Sequence, residues 1–534
     1  MLSFTTVGFA QTLETQIDQI LSEQYLAHEP GATALVAIDG KIVYHKAFGM
    51  ANLELEVPMQ TDMVFEIASI TKQFTAVAIL MLMEQGKLQL EDDITKYIKD
   101  FPTNGHSISI HHLLTHTSGI KSYTSMEEWF PLWRKDFKPK EFIDFFKDEP
   151  MDFFPGEEWR YNNSAYFLLG YIIEQVSGQS YEEFIEKNIF EALGMHSSRY
   201  GSHAEIVKKR ASGYQKNSKY VNAEYLSLTQ PYAAGSLMST VKDLFIWNRA
   251  IRSNKLVKKE TIDLAFTNYQ LNNGQFINYG YGWSINQING SQAFEHSGGI
   301  FGYLTNSIYL FKEDVFVAIL SNCDCNDPGD VSIRMAAMAI GKPYLGEKDM
   351  ISIATDDLKK FVGIYDFEDG SSRIITLEDN YLYSQRTGSS KIKLFPTKKN
   401  LFSFENHFAS IEFQENGQEI KAFFANRVNT TQGIKTDKSL PVKKEIQLEL
   451  ETLKQFIGNY EIAPGFNIVI TLEDKQLMAQ ATGQPKFPIF AESPTKFFLK
   501  AVDAEIEFFK NDNDQFESFI LYQAGQEIPA KKKN

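Results

Sequence analysis

The sequence is poor in cysteine, with only Cys323 and Cys325 among 534 residues. A disulfide between residues two positions apart is expected to be strained. Two thiols without nearby histidines also make a poor zinc site. We therefore predict free thiols near the end of a strand, rather than a disulfide, a metal site or a redox centre.

Long hydrophobic runs are also missing. The longest apolar run after the N-terminus spans residues 76–83, whereas a membrane-spanning helix needs about 20 residues. Residues 1–10 are apolar and end in small residues that suit a signal peptidase, but they lack the positively charged start of a full signal peptide. We expect a truncated signal segment, no integral membrane segment, and a periplasmic or secreted protein.

Positive charge is in deficit. Lysine and arginine number 53 against 68 aspartates and glutamates, so the net charge is -15. This balance excludes nucleic acids and anionic membranes as expected partners. Apolar residues make up 43% of the chain, which suffices for a sizeable core, and the length predicts two to four domains.

The C-terminal third contains a duplication. Residues 358–365 (LKKFVGIY) recur as 453–460 (LKQFIGNY), and the ITLED of 375–379 recurs at 470–474, in both cases 95 positions later. Each copy has short alternating runs at the spacing of an antiparallel barrel. We predict two small β-barrel domains, at 353–436 and 446–530. Neither domain shows a coherent set of residues for catalysis or binding. This favours a role in packing, capping or assembly over that of a lipid-carrying barrel.

The strongest chemical signal is Ser69-x-x-Lys72, just before an apolar helical run at 74–83. Residues three apart on a helix share a face, so the lysine amine can accept the serine proton. The helix N-terminus also favours negative charge developing on Ser69. This copy differs from the others because it lies on an amphipathic helix that is expected to be buried. Burial depresses the pKa of a lysine, which allows the amine to act as a base. The same spacing occurs without that setting at Ser118/Lys121, Ser239/Lys242, Ser390/Lys393 and Ser493/Lys496.

Three further positions carry polar groups toward a possible cleft. Tyr161 and Asn163 lie at a predicted loop-to-helix junction, where side chains can project into a cleft. Their structural alternatives are a core aromatic and a helix N-cap. His296 precedes small residues and is either a strand-edge histidine or a cleft group. His116 follows two other histidines, but no carboxylate or cysteine stands at ligand spacing, so we expect it to hold a loop by hydrogen bonds.

Three motifs, taken in their order along the chain, resemble those of the penicillin-recognising serine hydrolases. They are Ser69-x-x-Lys72, Tyr161-x-Asn163 and the His-Ser-Gly of 296–298. These include class C β-lactamases, D,D-peptidases, related esterases and D-aminopeptidases. The segments 111–120 and 280–283 are also similar to that family. The resemblance implies an α+β hydrolase domain at 11–345, with an antiparallel sheet flanked by helices, followed by two lipocalin-like antiparallel β-barrels.

The resemblance also implies roles for single residues. Ser69 would be the nucleophile that forms an acyl-enzyme, and Lys72 and Tyr161 would share the general-base work. The backbone N–H groups of Ser69 and Gly299 would form an oxyanion hole. No metal or cofactor is implied. The positions implied to bind substrate are Asn163, His296, Gly298 and Gly299.

One departure bears on the substrate, a small peptide, amide or ester. Many β-lactamases and D,D-peptidases carry lysine where this chain has His296, and histidine is only partly charged near neutral pH. Recognition of a free carboxylate is weakened, and the pattern is similar to D-aminopeptidases. We therefore predict a peptidase or amidase acting on D-amino-acid-containing peptides. The alternatives are a carboxylesterase or β-lactamase of the same superfamily, or a catalytically silent binding or sensor protein.

Overall fold

A computed structural model describes residues 12–417, 419–440, 445–463, 465–511, 513–523 and 526–533. The expected signal segment at 1–10 lies outside the described residues. The chain divides into two compact units between Tyr344 and Leu345. The predicted α+β class is confirmed, because the first unit combines helices with an antiparallel sheet and the second contains two closed barrels.

The first unit is organised by a six-stranded sheet in which every neighbouring pair is antiparallel. The strands described in this unit are β1 (Ala32–Ile38), β2 (Lys41–Phe48), β3 (Met50–Asn52), β4 (Val57–Pro58), β5 (Phe65–Glu66), β6 (Arg199–Tyr200), β7 (Tyr214–Lys216), β8 (Tyr220–Asn222), β9 (Leu237–Ser239), β10 (Ser284–Ile288), β11 (Ser291–Ile300), β12 (Tyr303–Leu310) and β13 (Val315–Ser321). The order in the large sheet is β10-β11-β12-β13-β1-β2. Asp39 and Gly40, both with positive φ, form the tight turn between β1 and β2 that their sequence predicts.

This sheet is buried on both faces. Leu35 and Ala37 of β1 belong to one apolar core, and Ala34 and Val36 belong to the other. Alternate residues of a strand point to opposite faces, so one strand contributes to both cores. An apolar run without polar alternation is therefore what β1 requires.

Helices supply the layers on either side of the sheet. Those of the first unit are α1 (Leu13–Gln24), α2 (Thr71–Glu84), α3 (Ile110–Leu114), α4 (Pro139–Phe146), α5 (Asn163–Ser177), α6 (Tyr181–Ile185), α7 (Tyr232–Gly235), α8 (Val241–Arg252), α9 (Lys259–Ala265) and α10 (Gly329–Ala339). The sequence predicted an amphipathic α2, but all side chains from Thr71 to Leu80 are buried. A helix surrounded by protein needs no polar face. Within the described part of the chain, no helix combines the length and apolarity of a membrane span.

The second unit contains the two predicted barrels, each closed by pairing of its first and last strands. Barrel 1 consists of β14 (Gly363–Phe367), β15 (Ser372–Glu378), β16 (Tyr381–Arg386), β17 (Lys391–Pro396), β18 (Leu401–Phe404), β19 (Ser410–Asn416), β20 (Glu419–Ala425) and β21 (Thr430–Lys435). Barrel 2 consists of β22 (Gly458–Ala463), β23 (Phe466–Glu473), β24 (Gln476–Ala481), β25 (Lys486–Ala491), β26 (Lys496–Leu499), β27 (Ala504–Lys510), β28 (Phe516–Gln523) and β29 (Gln526–Lys532). A short helix precedes each barrel, α11 (Thr355–Lys359) and α12 (Leu450–Lys454). Each barrel has its own apolar core.

The prediction of free thiols is wrong. Cys323 and Cys325 form a disulfide just after β13. The chain turns there, which brings the two Cα atoms to 5.1 Å, within the range that a disulfide bridges.

Candidate active site

Ser69 lies in a tight turn between a short strand and the central helix. β5 ends at Glu66, a 3-10 turn covers Ala68–Ile70, and α2 begins at Thr71. Ala68 has a φ of +46°, a left-handed conformation that costs a non-glycine residue about 1–2 kcal/mol. The turn thereby brings the Ser69 hydroxyl to the first turn of α2, as the sequence predicts.

Lys72 is fully buried, and its amine has three oxygen partners. Nζ lies 3.1 Å from Ser69 Oγ, 2.8 Å from Asn163 Oδ1 and 2.8 Å from the Ala234 carbonyl oxygen. Burial lowers the pKa of Lys72 well below its usual value. A neutral amine has two N–H donors and one lone pair, and the amide and carbonyl oxygens can only accept. The lone pair is therefore left for the Ser69 proton, which is the arrangement that a general base needs.

Tyr161 lies on the other side of this amine. Its ring centroid is 4.7 Å from Lys72 Nζ, and its buried hydroxyl has no hydrogen-bond partner among the described residues. Burial raises the pKa of the phenol, while the nearby Ser69 hydroxyl acts to lower it. The contact with Ser69 does not meet hydrogen-bond geometry. At neutral pH Tyr161 thus holds its proton beside Ser69, where an incoming group can accept it.

Asn163 is the first residue of α5 and is held from two sides. Its backbone N–H donates to Ser122 Oγ at 3.3 Å, and its Nδ2 donates to Thr124 Oγ1 at 3.2 Å. These contacts turn Oδ1 toward Lys72. The alternative of Asn163 as an N-cap is wrong by one residue, because the Asn162 side chain caps α5. This leaves the Asn163 side chain available to the site.

His116 supports the site from within the core. Its Nδ1 accepts a hydrogen bond from the Asn162 backbone N–H at 3.0 Å, which confirms that it holds a loop in place. Its ring centroid lies 4.5 Å from that of Tyr161. Burial, and then the nearby Lys72, lower the pKa of His116 well below its usual value. A neutral His116 therefore packs against Tyr161 without adding charge.

His296 projects from β11 and is 5% exposed. Its Nδ1 donates to the Ser297 carbonyl oxygen at 2.6 Å, and its Nε2 lies 3.0 Å from the Tyr279 hydroxyl. Burial, followed by the influence of Lys72, lowers the pKa of His296 to about 3. The side chain is consequently neutral at physiological pH, whereas the sequence suggested a histidine that is partly charged.

Gly298 lets β11 approach the Ser69 turn. A Cβ atom at this position would lie 2.3 Å from the Ile67 carbonyl oxygen and 2.3 Å from Thr305 Oγ1. Neither group can move away easily, since Thr305 Oγ1 itself donates to the Ile67 carbonyl oxygen at 3.0 Å. A glycine is therefore needed for this contact.

A cavity of about 110 Å³ opens beside Ser69. Asn163 and Gly299 line it together with Ser69, so three of the predicted site residues meet there. Lys72 and His296 are buried behind this surface. The rest of the wall is mostly apolar and includes Tyr123, Trp129, Leu226, Pro231, Ile300 and Phe301.

A second cavity, of about 380 Å³, shares Leu226 and Phe301 with the first. Its lining includes Glu66 and Arg210, whose side chains form an ion pair at 2.6 Å. Burial raises the pKa of Glu66 to about 7, while Arg210 opposes that shift. The second cavity is therefore a neighbour of the one beside Ser69.

Sequence reasoning missed two members of the site. Tyr279 directly precedes the 280–283 segment, but its hydrogen bond with His296 becomes visible only in the folded structure. The Ala234 carbonyl contributes a backbone atom, which has no side-chain signature. The short run of small residues around Ala234 was the available signal.

This arrangement defines a class: a serine hydrolase in which a buried lysine is hydrogen-bonded to a serine at the start of a core helix. The chain belongs to the beta-lactamase family, whose sequence model matches residues 17–342. Residues 442–532 match a second model, described as a domain of unknown function (DUF3471).

Relatives agree with this membership. A penicillin-binding protein of Bacillus subtilis (strain 168) is 32% identical over 421 residues, covering 74% of this chain and 92% of that protein. The octameric penicillin-binding protein homologue from Pyrococcus abyssi has a TM-score of 0.55 and 30% identity, covering 79% of this chain and 99% of that structure. A D-stereospecific amidohydrolase from Streptomyces sp. has a TM-score of 0.54 and 24% identity, covering 60% and 98%; this likeness shows the fold alone.

The neutrality of His296 can be tested by pH dependence. In His296→Gln, we expect kcat/KM to fall by up to about tenfold, the equivalent of one hydrogen bond, with the acid limb of the pH profile unmoved. The reason is that His296, with a pKa of about 3, does not titrate between pH 5 and 8. The exposed His28→Gln serves as control. An acid limb that shifts only in His296→Gln would contradict this prediction.

Proposed function

We propose that this protein hydrolyses small amides and peptides containing D-amino acids, through an acyl ester on Ser69. The observation that carries the proposal is the environment of Lys72 Nζ. Two of its three partners are pure acceptors, and the third is the Ser69 hydroxyl. A buried lysine in this state accepts the serine proton as the hydroxyl attacks.

In the acylation step, Lys72 takes the Ser69 proton while Ser69 Oγ forms a bond to the substrate carbonyl carbon. The carbonyl oxygen becomes an oxyanion, for which the backbone N–H groups of Ser69 and Gly299 are the proposed donors. Both residues line the same cavity. One such donor is typically worth about 100 to 1000-fold in rate.

Collapse of the tetrahedral intermediate breaks the bond from carbon to the leaving nitrogen. The nitrogen needs a proton, and the Tyr161 hydroxyl is the proposed donor, since it is protonated and has no other partner among the described residues. The phenol is then restored by the proton held on Lys72. Water attacks the ester in the second half-reaction, again losing its proton to this pair, and Ser69 regains its hydrogen as the acid departs.

The charge of the site supports substrates without a free carboxylate next to the scissile bond. His296 stands where a fixed cation would hold such a carboxylate, and it is neutral. The cavity beside Ser69 is lined mainly by apolar and aromatic side chains, which suits a small uncharged substituent. The choice of D over L stereochemistry rests on the resemblance of the His-Ser-Gly segment and the barrels to D-aminopeptidases.

The same uncharged, apolar lining supports a second candidate, a carboxylesterase acting on small esters. Esters and amides pass through the same acyl intermediate, and an ester's leaving group needs less help from a proton donor. Tyr161 therefore matters more for an amidase than for an esterase, which allows the two activities to be distinguished.

We also propose that the protein acts outside the cytoplasm, in the periplasm or as a secreted enzyme. The Cys323–Cys325 disulfide supports this location, because disulfides persist in oxidising compartments. Residues 1–10, the expected signal segment, point the same way.

The test is a hydrolysis panel on the purified full chain: D-alanyl and L-alanyl p-nitroanilides, a D-Ala-D-Ala peptide, p-nitrophenyl butyrate and nitrocefin. We expect the D-alanyl anilide to exceed its L counterpart by at least about tenfold in kcat/KM, a difference of about 1.4 kcal/mol. The two substrates that carry a carboxylate should be slower. Each reaction is repeated with Tyr161→Phe, which should impair the anilide more than the ester.

Faster turnover of the ester than of either anilide, with little effect of Tyr161→Phe, would replace the amidase by the esterase. Efficient turnover of nitrocefin would overturn the argument from His296. No turnover of any substrate, with no labelling by a fluorophosphonate, would favour a silent binding protein.

A further inference from the structure

Barrel 1 contains a pocket that the hydrolase does not use. Its volume is about 420 Å³. Phe404, Phe424 and Ile392 contribute an apolar wall, while Arg373, Arg386 and Arg427 contribute positive charge. No acidic side chain is found in the lining formed by described residues, although the chain as a whole carries a net charge of -15.

Arg373 is the unusual member of this pocket. It is 9% exposed, and it projects from β15 on the same face as Ile375, a core residue of the barrel. Its guanidinium carbon lies 3.7 Å from the centroid of the Phe424 ring. Its Nε has no hydrogen-bond partner among the described residues. A buried guanidinium thus has an aromatic ring on one side and an unused donor.

A second arginine increases the positive charge at the same place. Arg386 is directly opposite Arg373 in the register of β15 and β16. Burial, and then Arg386, lower the pKa of Arg373 to about 10, while Asp369 opposes the shift. Asp369 accepts hydrogen bonds from the Ser371 hydroxyl and backbone N–H, and it forms no ion pair with either arginine in the described structure. The guanidinium carbon also lies 5.8 Å from the centroids of the Phe367 and Phe404 rings. Cation–π contacts accept no hydrogen bond in the plane of the guanidinium, so they leave the Arg373 Nε without an acceptor among the described residues.

A buried hydroxyl adds a second unused polar group. Ser384 is 1% exposed, lines the pocket, and its Oγ has no partner among the described residues. It is paired with Ile375 across β15 and β16, two residues along each strand from the arginine pair and therefore on the same face. Buried polar atoms are nearly always hydrogen-bonded, so Arg373 Nε and Ser384 Oγ, unused in the same pocket, point to a missing ligand.

Barrel 2 shows that the fold does not require these groups. In its β23–β24 pair, Ile468 stands opposite Ala481 and Ile470 opposite Ala479, in the register of the barrel 1 pairs. Ile468 and Ala479 belong to the apolar core of barrel 2, and Ala481 packs against it. Each position has its counterpart 95 residues earlier in Arg373, Ser384 and Arg386. The same strands therefore close a barrel with apolar residues at all three positions.

We propose that barrel 1 binds a small amphiphilic anion, namely a carboxylate carried on an apolar group. Arg373 and Arg386 hold the carboxylate with the help of Ser384, and the wall of Phe404, Phe424 and Ile392 takes the apolar part. A guanidinium donates two parallel hydrogen bonds to a carboxylate. The ligand is an acyl-chain carboxylate or the carboxylate of a short aromatic peptide, which share this chemistry. The proposal is independent of the hydrolase function.

The test is isothermal titration of the full chain, in a Ser69→Ala background that cannot hydrolyse an amide, with dodecanoate and with N-acetyl-D-phenylalanine. The uncharged amide of the latter and inorganic phosphate are titrated beside them. The main variant, Arg373→Ile with Arg386→Ala, carries the residues of barrel 2. We expect one site in the wild type, at least about 30-fold weaker binding in the double variant, and a Tm equal to or above that of the wild type, since an unpaired buried charge has been removed. Lys391→Ala is the control, because its amine pairs with Glu378 on the same barrel outside the pocket.

Tighter binding of dodecanoate would identify an acyl-chain ligand, and tighter binding of N-acetyl-D-phenylalanine a peptide ligand. If the double variant fails to fold, Arg386→Ala alone provides a milder variant. Binding should weaken at least about fivefold in it. The proposal is overturned if neither carboxylate binds at millimolar concentration, if the double variant binds as the wild type does, or if the uncharged amide or phosphate binds as tightly as the carboxylates.

Discussion

Replacement of Ser69 by alanine is expected to lower kcat on the preferred substrate by at least about 10,000-fold, because the acyl group then has no oxygen to which it can bind. The residual rate would come from the oxyanion donors and substrate binding alone. The fold should be unaffected, since Ser69 makes its hydrogen bond with Lys72 at the cavity surface. Steady-state kinetics measured beside the thermal transition of both proteins checks this.

A covalent readout makes the result specific to the nucleophile. A fluorophosphonate should add one label to the wild type and none to Ser69→Ala, as seen by intact mass. Ser493→Ala is the matched control, since it belongs to another Ser-x-x-Lys copy and its hydroxyl accepts from the backbone N–H groups of Lys496 at 3.0 Å and Thr495 at 3.4 Å. Labelling retained in Ser69→Ala, or lost in Ser493→Ala, would show that the nucleophile lies elsewhere.

Replacement of Lys72 by methionine is expected to lower kcat/KM by about 1000-fold, because the side chain keeps its length but loses the general base. Asn163 Oδ1 and the Ala234 carbonyl lose a donor as well. Lys121→Met is the control within the second Ser-x-x-Lys copy, where the amine pairs with Asp152 at 3.0 Å. Equal losses in the two variants would mean that the effect is structural and not catalytic.

The same substitution predicts a pH-dependent difference in stability. Burial lowers the pKa of Lys72 in the folded protein, whereas the unfolded chain has the ordinary value of 10.5. Between these two pKa values the unfolded chain binds a proton that the folded protein lacks. The free energy of unfolding of the wild type therefore gains up to about 1.4 kcal/mol per pH unit as pH rises, a gain that Lys72→Met cannot show.

Tryptophan fluorescence is the appropriate measurement, because all five tryptophans lie between residues 129 and 283 and so report on the first unit alone. The difference in free energy of unfolding, wild type minus variant, should increase with pH through this window and level off above 10.5. A difference that stays constant with pH would show that Lys72 is charged in the folded protein.

Much of the fold could be predicted from local sequence patterns. The Asp39-Gly40 turn, the short alternating runs of the barrels and the 95-residue repeat all depend on neighbours in the chain, so they were predictable. The Ser69 and Lys72 pair belongs with them, because three positions along a helix always share a face.

Long-range packing decided what local patterns could not. The turn after β13 brings Cys323 and Cys325 within bonding distance, contrary to the prediction of free thiols. The buried Arg373 of barrel 1 could not be predicted for a similar reason. Strand alternation predicts on which side of the strand it lies, but not that its Nε lacks a partner among the described residues.

The sequence by itself determined that a serine and a lysine meet at the start of an apolar helix and that a hydrolase unit precedes two repeated barrels. Only the tertiary structure decided the protonation states on which the chemistry depends. Burial among groups 91 and 162 positions away in the chain lowers the pKa of Lys72 well below its usual value. Burial against Tyr279 lowers the pKa of His296 to about 3. A pKa depends on the dielectric surroundings and the charges that surround a group in space, and those are assembled only when distant segments pack together.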